Sequence, residues 1–244
     1  MATLEFLQPD WPAPPQVRAA MTTRGGGVSV GPYASLNLAA HVGDSNAAVV
    51  GNRGRVRAAL GLPEEPAWLE QVHGIRVAVL PRPSSGSADA AVTFTSGSVC
   101  AVLVADCLPV FLASRAGDRV GIAHAGWRGL AAGVVEATVA AFGCDPGELV
   151  AWLGPSIGPS AFEVGGEVRE TFLARDPESA AEFRPGRDGR WLASLTGLAR
   201  RRLAAAGVAG ARGGDLCTYS DPVRFYSYRR DGATGRMAAL AWLA

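Results

Sequence analysis

The 244-residue sequence contains no lysine, and all 23 of its basic residues are arginine. That absence excludes Schiff-base chemistry on a protein amine, a pyridoxal-phosphate anchor, a P-loop lysine and a Ser-Lys dyad. Histidine is scarce, at three residues, and cysteine numbers four. A net charge of +1 provides no concentrated basic field, so neither nucleic acid nor an anionic membrane is expected as a partner. No apolar run is long enough to span a bilayer. The best candidate, residues 99–113, is short and is cut by Asp106. The opening Met-Ala-Thr-Leu-Glu lacks a basic n-region and an apolar h-region, so no signal peptide is expected. Four cysteines without an export signal read as reduced thiols, which points to a cytoplasmic protein.

What is present is an ordinary globular composition, 48% hydrophobic and 18% charged. Turn signals from 31 Gly and 16 Pro are spread evenly, and neither a repeat nor a linker stands out. One domain over residues 1–244 is therefore expected, with Pro81 to Ser87 as a loop. Apolar runs at 75–80, 90–95, 98–105, 119–125 and 149–153 read as strands. Segments 130–142, 165–174 and 192–206 read as helices, and the tail from Phe225 to Leu243 as a β-hairpin turning at 231–235. The class implied is mixed α/β, with more strands than a doubly wound sheet requires.

Three chemically capable residues lie at strand ends beside glycine- or proline-bearing turns: His73 in Gln-Val-His-Gly, Cys107 in Ala-Asp-Cys-Leu-Pro-Val and His124 in His-Ala-Gly-Trp-Arg-Gly. An α/β fold gathers functional groups at such places. Two imidazoles and a thiolate suit a tetrahedral zinc with one open position. Their separations, 34 and 17 residues, match no compact zinc-finger rule, so a Cys107–His124 nucleophilic dyad and a plain structural role stay open. Asp106, beside the thiolate, is a candidate general base or a partner of a ligand histidine. Arg24, Arg53 and Arg128 are candidates for holding an anion such as phosphate. Arg128 sits where a helix begins, between Gly126 and Gly129. Tyr33, Trp127 and Phe225 could stack a purine, Arg229 and Arg230 read as solvated, and Cys100 and Cys144 as structural. Cys217 is the extra thiol that could close a metal site.

These motifs, in this order, resemble the YfiH-like family, also known as laccase-domain or polyphenol-oxidase-like proteins. The likeness extends through Thr23-Arg24-Gly25-Gly26, Ser35-Leu36-Asn37-Leu38, Val42-Gly43-Asp44 and Asn52-Arg53. It continues in Ala88-Asp89-Ala90, Gly154-Pro155-Ser156-Ile157-Gly158-Pro159 and Glu163-Val164-Gly165. It ends with Cys217-Thr218 and the run from Ser227 to Met237. Trp191-Leu192-Ala193-Ser194 departs from the family's frequent Trp-Leu-Asp-Leu, and Ser160 stands where a cysteine is common.

The resemblance implies a single layered α/β sandwich with mixed sheets and a zinc held by His73, Cys107 and His124. It implies phosphorolysis of adenosine, inosine and methylthioadenosine to base and ribose 1-phosphate, together with adenosine deamination. Cys107, His124 and Asp106 are then the catalytic candidates, and Arg24, Asn37, Arg53 and Arg128 the substrate-binding ones. The partners are a purine nucleoside and phosphate, and the number of subunits is left open. Three alternatives accompany this reading. The first is a cysteine-type amide hydrolase editing peptidoglycan precursors. The second is a copper-dependent polyphenol oxidase, since copper fits the same N and S donors. The third is an interaction protein with a closed structural zinc. A multicopper cluster needs far more histidines than three, so the oxidase is the weakest on ligand count.

Overall fold

The computed structural model describes residues 3–81 and 86–244, so most of the expected Pro81–Ser87 loop lies outside the described residues. In chain order the strands are β1 (Phe6–Leu7), β2 (Val17–Thr22), β3 (Ala67–Trp68), β4 (Val77–Leu80), β5 (Ala90–Thr93), β6 (Val99–Val104) and β7 (Leu108–Ser114). They continue as β8 (Val120–Ala125), β9 (Leu149–Leu153), β10 (Glu163–Val164), β11 (Phe183–Pro185), β12 (Trp191–Ala193), β13 (Arg212–Gly213) and β14 (Met237–Leu243). The α-helices are α1 (Asn46–Leu60), α2 (Trp127–Ala132), α3 (Val134–Ala141), α4 (Gly166–Leu173), α5 (Leu195–Ala205) and α6 (Tyr228–Asp231).

Two large mixed sheets form the body. One runs β1-β2-β14-β6-β3, the other β13-β9-β7-β8-β5-β4, and a small third sheet runs β10-β12-β11. Side-chain parity along the strands builds the layers. On β6, Cys100, Val102 and Val104 face Phe111, Ile122 and Met237 between the two sheets. Val99, Ala101 and Leu103 face the opposite way, onto Leu36, Leu38 and Val56. On β7, Phe111 and Ala113 fill the inter-sheet layer, while Leu108, Val110 and Leu112 meet helix residues such as Leu130, Val135 and Leu198. Both faces of these strands are covered, which is why they read as continuous apolar runs without polar alternation.

The strands read from sequence all appear, each within a few residues. The helical readings need more correction. The helix expected over 130–142 is two helices, because Gly133 adopts a φ of 113° and ends α2 before α3 begins. The segment 192–206 opens as β12, paired with β10 and β11, before Ser194 caps α5 by accepting from the Gly197 amide. Helix α1 went unread, since it carries glycines inside it and buries only Val49, Asn52 and Val56. The tail is not a hairpin. Ser227 caps α6 instead, and β14 lies between β2 and β6, strands more than a hundred residues earlier. Seven buried residues in a row on β14 require two neighbours and two covered faces.

Phe111 is fully buried in the inter-sheet layer, edge-on to Trp152 at 5.2 Å between ring centroids. Replacing it by alanine is expected to cost about 3–5 kcal/mol in chemical denaturation. Val50→Ala, on an exposed side chain, should stay within about 0.5 kcal/mol of the parent.

Candidate metal centre

The chain crosses from one large sheet to the other between β6 and β7, and the crossing residue is Asp106, in the left-handed region at φ 90°. Each oxygen of its carboxylate is anchored: Oδ1 accepts from Thr218 Oγ1 at 2.6 Å and Oδ2 from the Arg229 amide at 2.7 Å. Held so, the crossing delivers Cys107 to the rim of the inter-sheet layer. The β7–β8 register places Pro109 opposite His124, so Cys107 and His124 come from neighbouring strand ends.

His73 arrives on the loop between β3 and β4, where it too is left-handed, at φ 61°. Asp89 pins this loop. Its oxygens accept from three successive amides, Val72 at 3.1 Å, His73 at 2.9 Å and Gly74 at 2.7 Å, a nest of N–H groups around one carboxylate. The fourth acceptor position takes His124 Nδ1 at 2.9 Å. Burial opposes ionisation of Asp89, but the hydrogen bonds from His124, Gly74 and Val72 outweigh it and hold the carboxyl below the usual range. Gln71 adds a clamp: its amide donates to the Leu103 carbonyl and accepts from the Leu103 amide.

The ligand atoms of His73, Cys107 and His124 consequently lie within 4.8 Å of one another, with Cys107 Sγ 3.7 Å from His73 Nε2. Burial works against a thiolate at Cys107, yet the adjoining imidazoles outweigh it and lower its pKa. Burial likewise opposes a charged His124, and the Cys107 charge with the Asp89 hydrogen bond raises it instead. These opposite shifts favour a thiolate beside a charged imidazole, and the same donors would hold a cation of the zinc type. The donor set fits such an ion, because Asp89 occupies His124 Nδ1 and leaves Nε2 to face Cys107. The space fits as well: a Cβ at Gly126 would stand 2.8 Å from His73 Cδ2 and 2.9 Å from Cys107 Sγ.

The three residues open onto a cavity of about 450 Å³ that is also lined by His41, Arg128 and Arg236. All three histidines of the chain therefore meet at one cavity, although the sequence pointed to only two of them. Arg236 and the 62%-exposed Tyr228 were likewise unassigned. Their signal was confined to their place inside the run from Ser227 to Met237, and Asp89 was visible only within Ala88-Asp89-Ala90.

The other expected residues sit elsewhere. Arg24 donates to the carbonyls of Ala34 and Pro222, and its guanidinium lies over the Tyr226 ring. Arg53 donates twice to the Leu38 carbonyl and stacks on Trp68. Asn37 is fully buried and binds Ala39, Asp44 and the Arg236 amide. None of these three lines the cavity; they brace the segment 34–39 that leads to His41. Phe225 is fully buried and offers no free ring, Tyr33 donates to the Val42 carbonyl and does not line the cavity, and Trp127 is covered by Arg128. Arg230 is not simply solvated, since it donates to the Thr218, Tyr219 and Phe225 carbonyls. Cys217 Sγ accepts from the Gly158 amide and Ser220 Oγ, and the metal-type group among the described residues does not include it. A closed four-ligand site is not formed there.

The fold and site define a layered α/β protein with an imidazole–imidazole–thiolate centre beside a cationic cavity. The sequence model of the family described as multi-copper polyphenol oxidoreductase laccase matches residues 18–244, and the chain belongs to that family, which includes the YfiH proteins. It is 54% identical to purine nucleoside phosphorylase YfiH of Escherichia coli over 98% of this chain and 99% of that one. It is 52% identical to a Pseudomonas aeruginosa purine nucleoside phosphorylase, covering 98% of each. Among solved structures, a Neisseria meningitidis protein of family DUF152 superposes with a TM-score of 0.94 at 50% identity, covering 98% of each chain. YlmD of Geobacillus stearothermophilus gives 0.89 at 32% identity over 98% of each. No helix among the described residues is long and apolar enough to cross a membrane.

Replacing Asp89 by asparagine removes the carboxylate's charge and half its acceptor capacity at the nest. Metal affinity, measured by chelator competition, should fall about 10–100-fold. Gly126→Ala should lower metal content with the circular dichroism spectrum unchanged, because its Cβ intrudes on the ligands and not on the core.

Proposed function

We propose that this chain is a zinc-dependent purine nucleoside phosphorylase that cleaves adenosine, inosine or methylthioadenosine with phosphate and also deaminates adenosine. The observation that carries the reading is the convergence of His73, Cys107 and His124 on a cavity with two arginines, in a chain so similar to named purine nucleoside phosphorylases. His73, Cys107 and His124 would hold the zinc, which would supply Lewis-acid polarisation at the cavity wall.

The protein's own groups do the remainder. In phosphorolysis a phosphate oxygen bonds to C1′ while the C1′–N9 bond breaks, its electron pair leaving with the base. The proton that phosphate carried ends on a purine nitrogen. Arginines stabilise the phosphate charge, and Tyr228 presents an exposed ring at the cavity for the base. In deamination, water and adenosine give inosine and ammonia. Asp106 is the carboxylate proposed to move the proton, with Thr218 and the Arg229 amide each holding one of its oxygens in place. Arg24, Asn37 and Arg53 support substrate binding through segment 34–39, and Arg128 directly.

The test is metal analysis of the purified protein together with product analysis after adding adenosine and phosphate. About one zinc per chain is expected, with adenine or inosine formed. Cys107→Ala should lose both the metal and the products. A metal-free protein forming neither product overturns the reading and favours the cysteine-type amide hydrolase, for which Cys107 beside His124 is the ready nucleophile and base.

A further inference from the structure

The cavity beside the metal centre has no acidic residue in its lining, although it carries two arginines and all three histidines of the chain. Elsewhere in the protein arginines are commonly matched with carboxylates, as in Arg201–Asp176, Arg224–Asp221 and Arg202–Glu136. Neither Arg128 nor Arg236 enters any ion pair among the described residues.

Arg236 is half-buried and is held by its own backbone neighbourhood. Its Nη1 donates to the Thr234 and Gly235 carbonyls, and its amide donates to Asn37 Oδ1. Those bonds fix the root and one edge of the guanidinium, leaving Nε and Nη2 with no protein acceptor among the described residues. Cys107 and then Asp106 act on Arg236 electrostatically, but no carboxylate or thiolate forms a hydrogen bond or ion pair with its guanidinium among the described residues. Arg128 is exposed, stacked on Trp127 at 4.6 Å, and it too has donors to spare. His41 follows closely on the segment braced by Arg24, Asn37 and Arg53. Burial, with the charges of Arg236 and Arg53, keeps its pKa below the ordinary histidine value. A neutral imidazole can accept a hydrogen bond from a P–OH group as well as donate one.

A half-buried guanidinium fixed in place without a counter-carboxylate is costly, and a dianion matching its fork relieves that cost. Were the triad to hold a cation, the Cys107 charge would be spent on it, and Arg128 and Arg236 would be left without an anionic partner among the described residues. We propose that Arg236 and Arg128, with His41, form the subsite that receives the phosphate oxyanion. This assignment rests on the phosphorylase reading and differs from one that draws on Arg24 and Arg53, which do not line the cavity and donate to backbone carbonyls.

The test uses the metal-loaded full-length protein and inorganic phosphate as the probe, with phosphate Kd measured by calorimetry and KM measured for phosphate and nucleoside separately. Arg236→Met is expected to raise phosphate Kd and KM at least about tenfold, the loss of a charge-assisted hydrogen bond, with nucleoside KM within about twofold of the parent. Arg128→Met should move the same two quantities in the same direction. Arg236→Lys keeps the charge without the fork and should fall between parent and methionine variant, a gradation that general misfolding does not produce. If nucleoside KM rises while phosphate Kd stays at the parent value, the subsite assignment is overturned and the phosphorylase reading survives. If the parent binds phosphate in an Arg236-dependent way but cleaves no nucleoside, the anion subsite stands and the phosphorylase reading falls. A parent that shows no phosphate binding by calorimetry at millimolar concentrations overturns the subsite directly.

Discussion

One carboxylate, Asp89, saturates its acceptor capacity with four donors from two different strand ends and joins them. Three of those donors are consecutive amides of the loop carrying His73, and the fourth is Nδ1 of His124. A backbone bond from the His124 amide to the Asp89 carbonyl, 2.7 Å long, fixes the same junction in register. Because the group is fully buried, leaving any of those partners unpaired would carry the cost of an unsatisfied buried polar atom. The left-handed backbone of His73 is therefore over-determined, which is the condition under which such conformations persist at functional sites.

The same constraint explains what the sequence made legible. Strands β6, β8 and β9 are long apolar runs ended by Gly, Pro or Asp, and nothing competes with that signal. His73, Cys107 and His124 were visible because rare residue types stand at those strand ends. Asp89 is one of many carboxylates, and its meaning comes from the β5–β8 pairing of Ala90 with Ala123, a contact across more than thirty residues. His41 and Arg236 are brought to the cavity by α1-side loops and by β14, which pairs with strands near the N-terminus and mid-chain. No local pattern announces such placement. The expected hairpin failed for the same reason, since the tail's turn residues serve a helix cap and the strand after them belongs to the centre of a sheet.

Arginine chemistry separates into two kinds here, and sequence context does not distinguish them. Arg24 and Arg53 spend their forks on the carbonyls of Ala34, Pro222 and Leu38 and lay their planes on Tyr226 and Trp68. They act as rigid braces for segment 34–39, a use suited to a planar group with several fixed donors. Arg128 and Arg236 keep donors unspent and face a cavity without carboxylates. No residue type before them separates the two kinds, since Arg24 follows Thr23, Arg53 Asn52, Arg128 Trp127 and Arg236 Gly235; only the fold tells a brace from a binding group.

The family's copper-oxidase description can be weighed against the same geometry. All three histidines reach one cavity, but only His73 and His124 join Cys107 in the group that could hold an ion; His41 lies outside it. A trinuclear copper cluster with a separate electron-transfer copper would need many more imidazoles than this chain contains. One N₂S donor group remains, a set that would suit a single zinc-type ion acting as a Lewis acid. Arg128 and Arg236 add positive charge with directional donors to the wall of the same cavity. Metal centre and arginine pair share one cavity because β6 and β7 part company at Asp106, the residue whose carboxylate also ties the Arg229 backbone and so holds α6 and Tyr228 beside them.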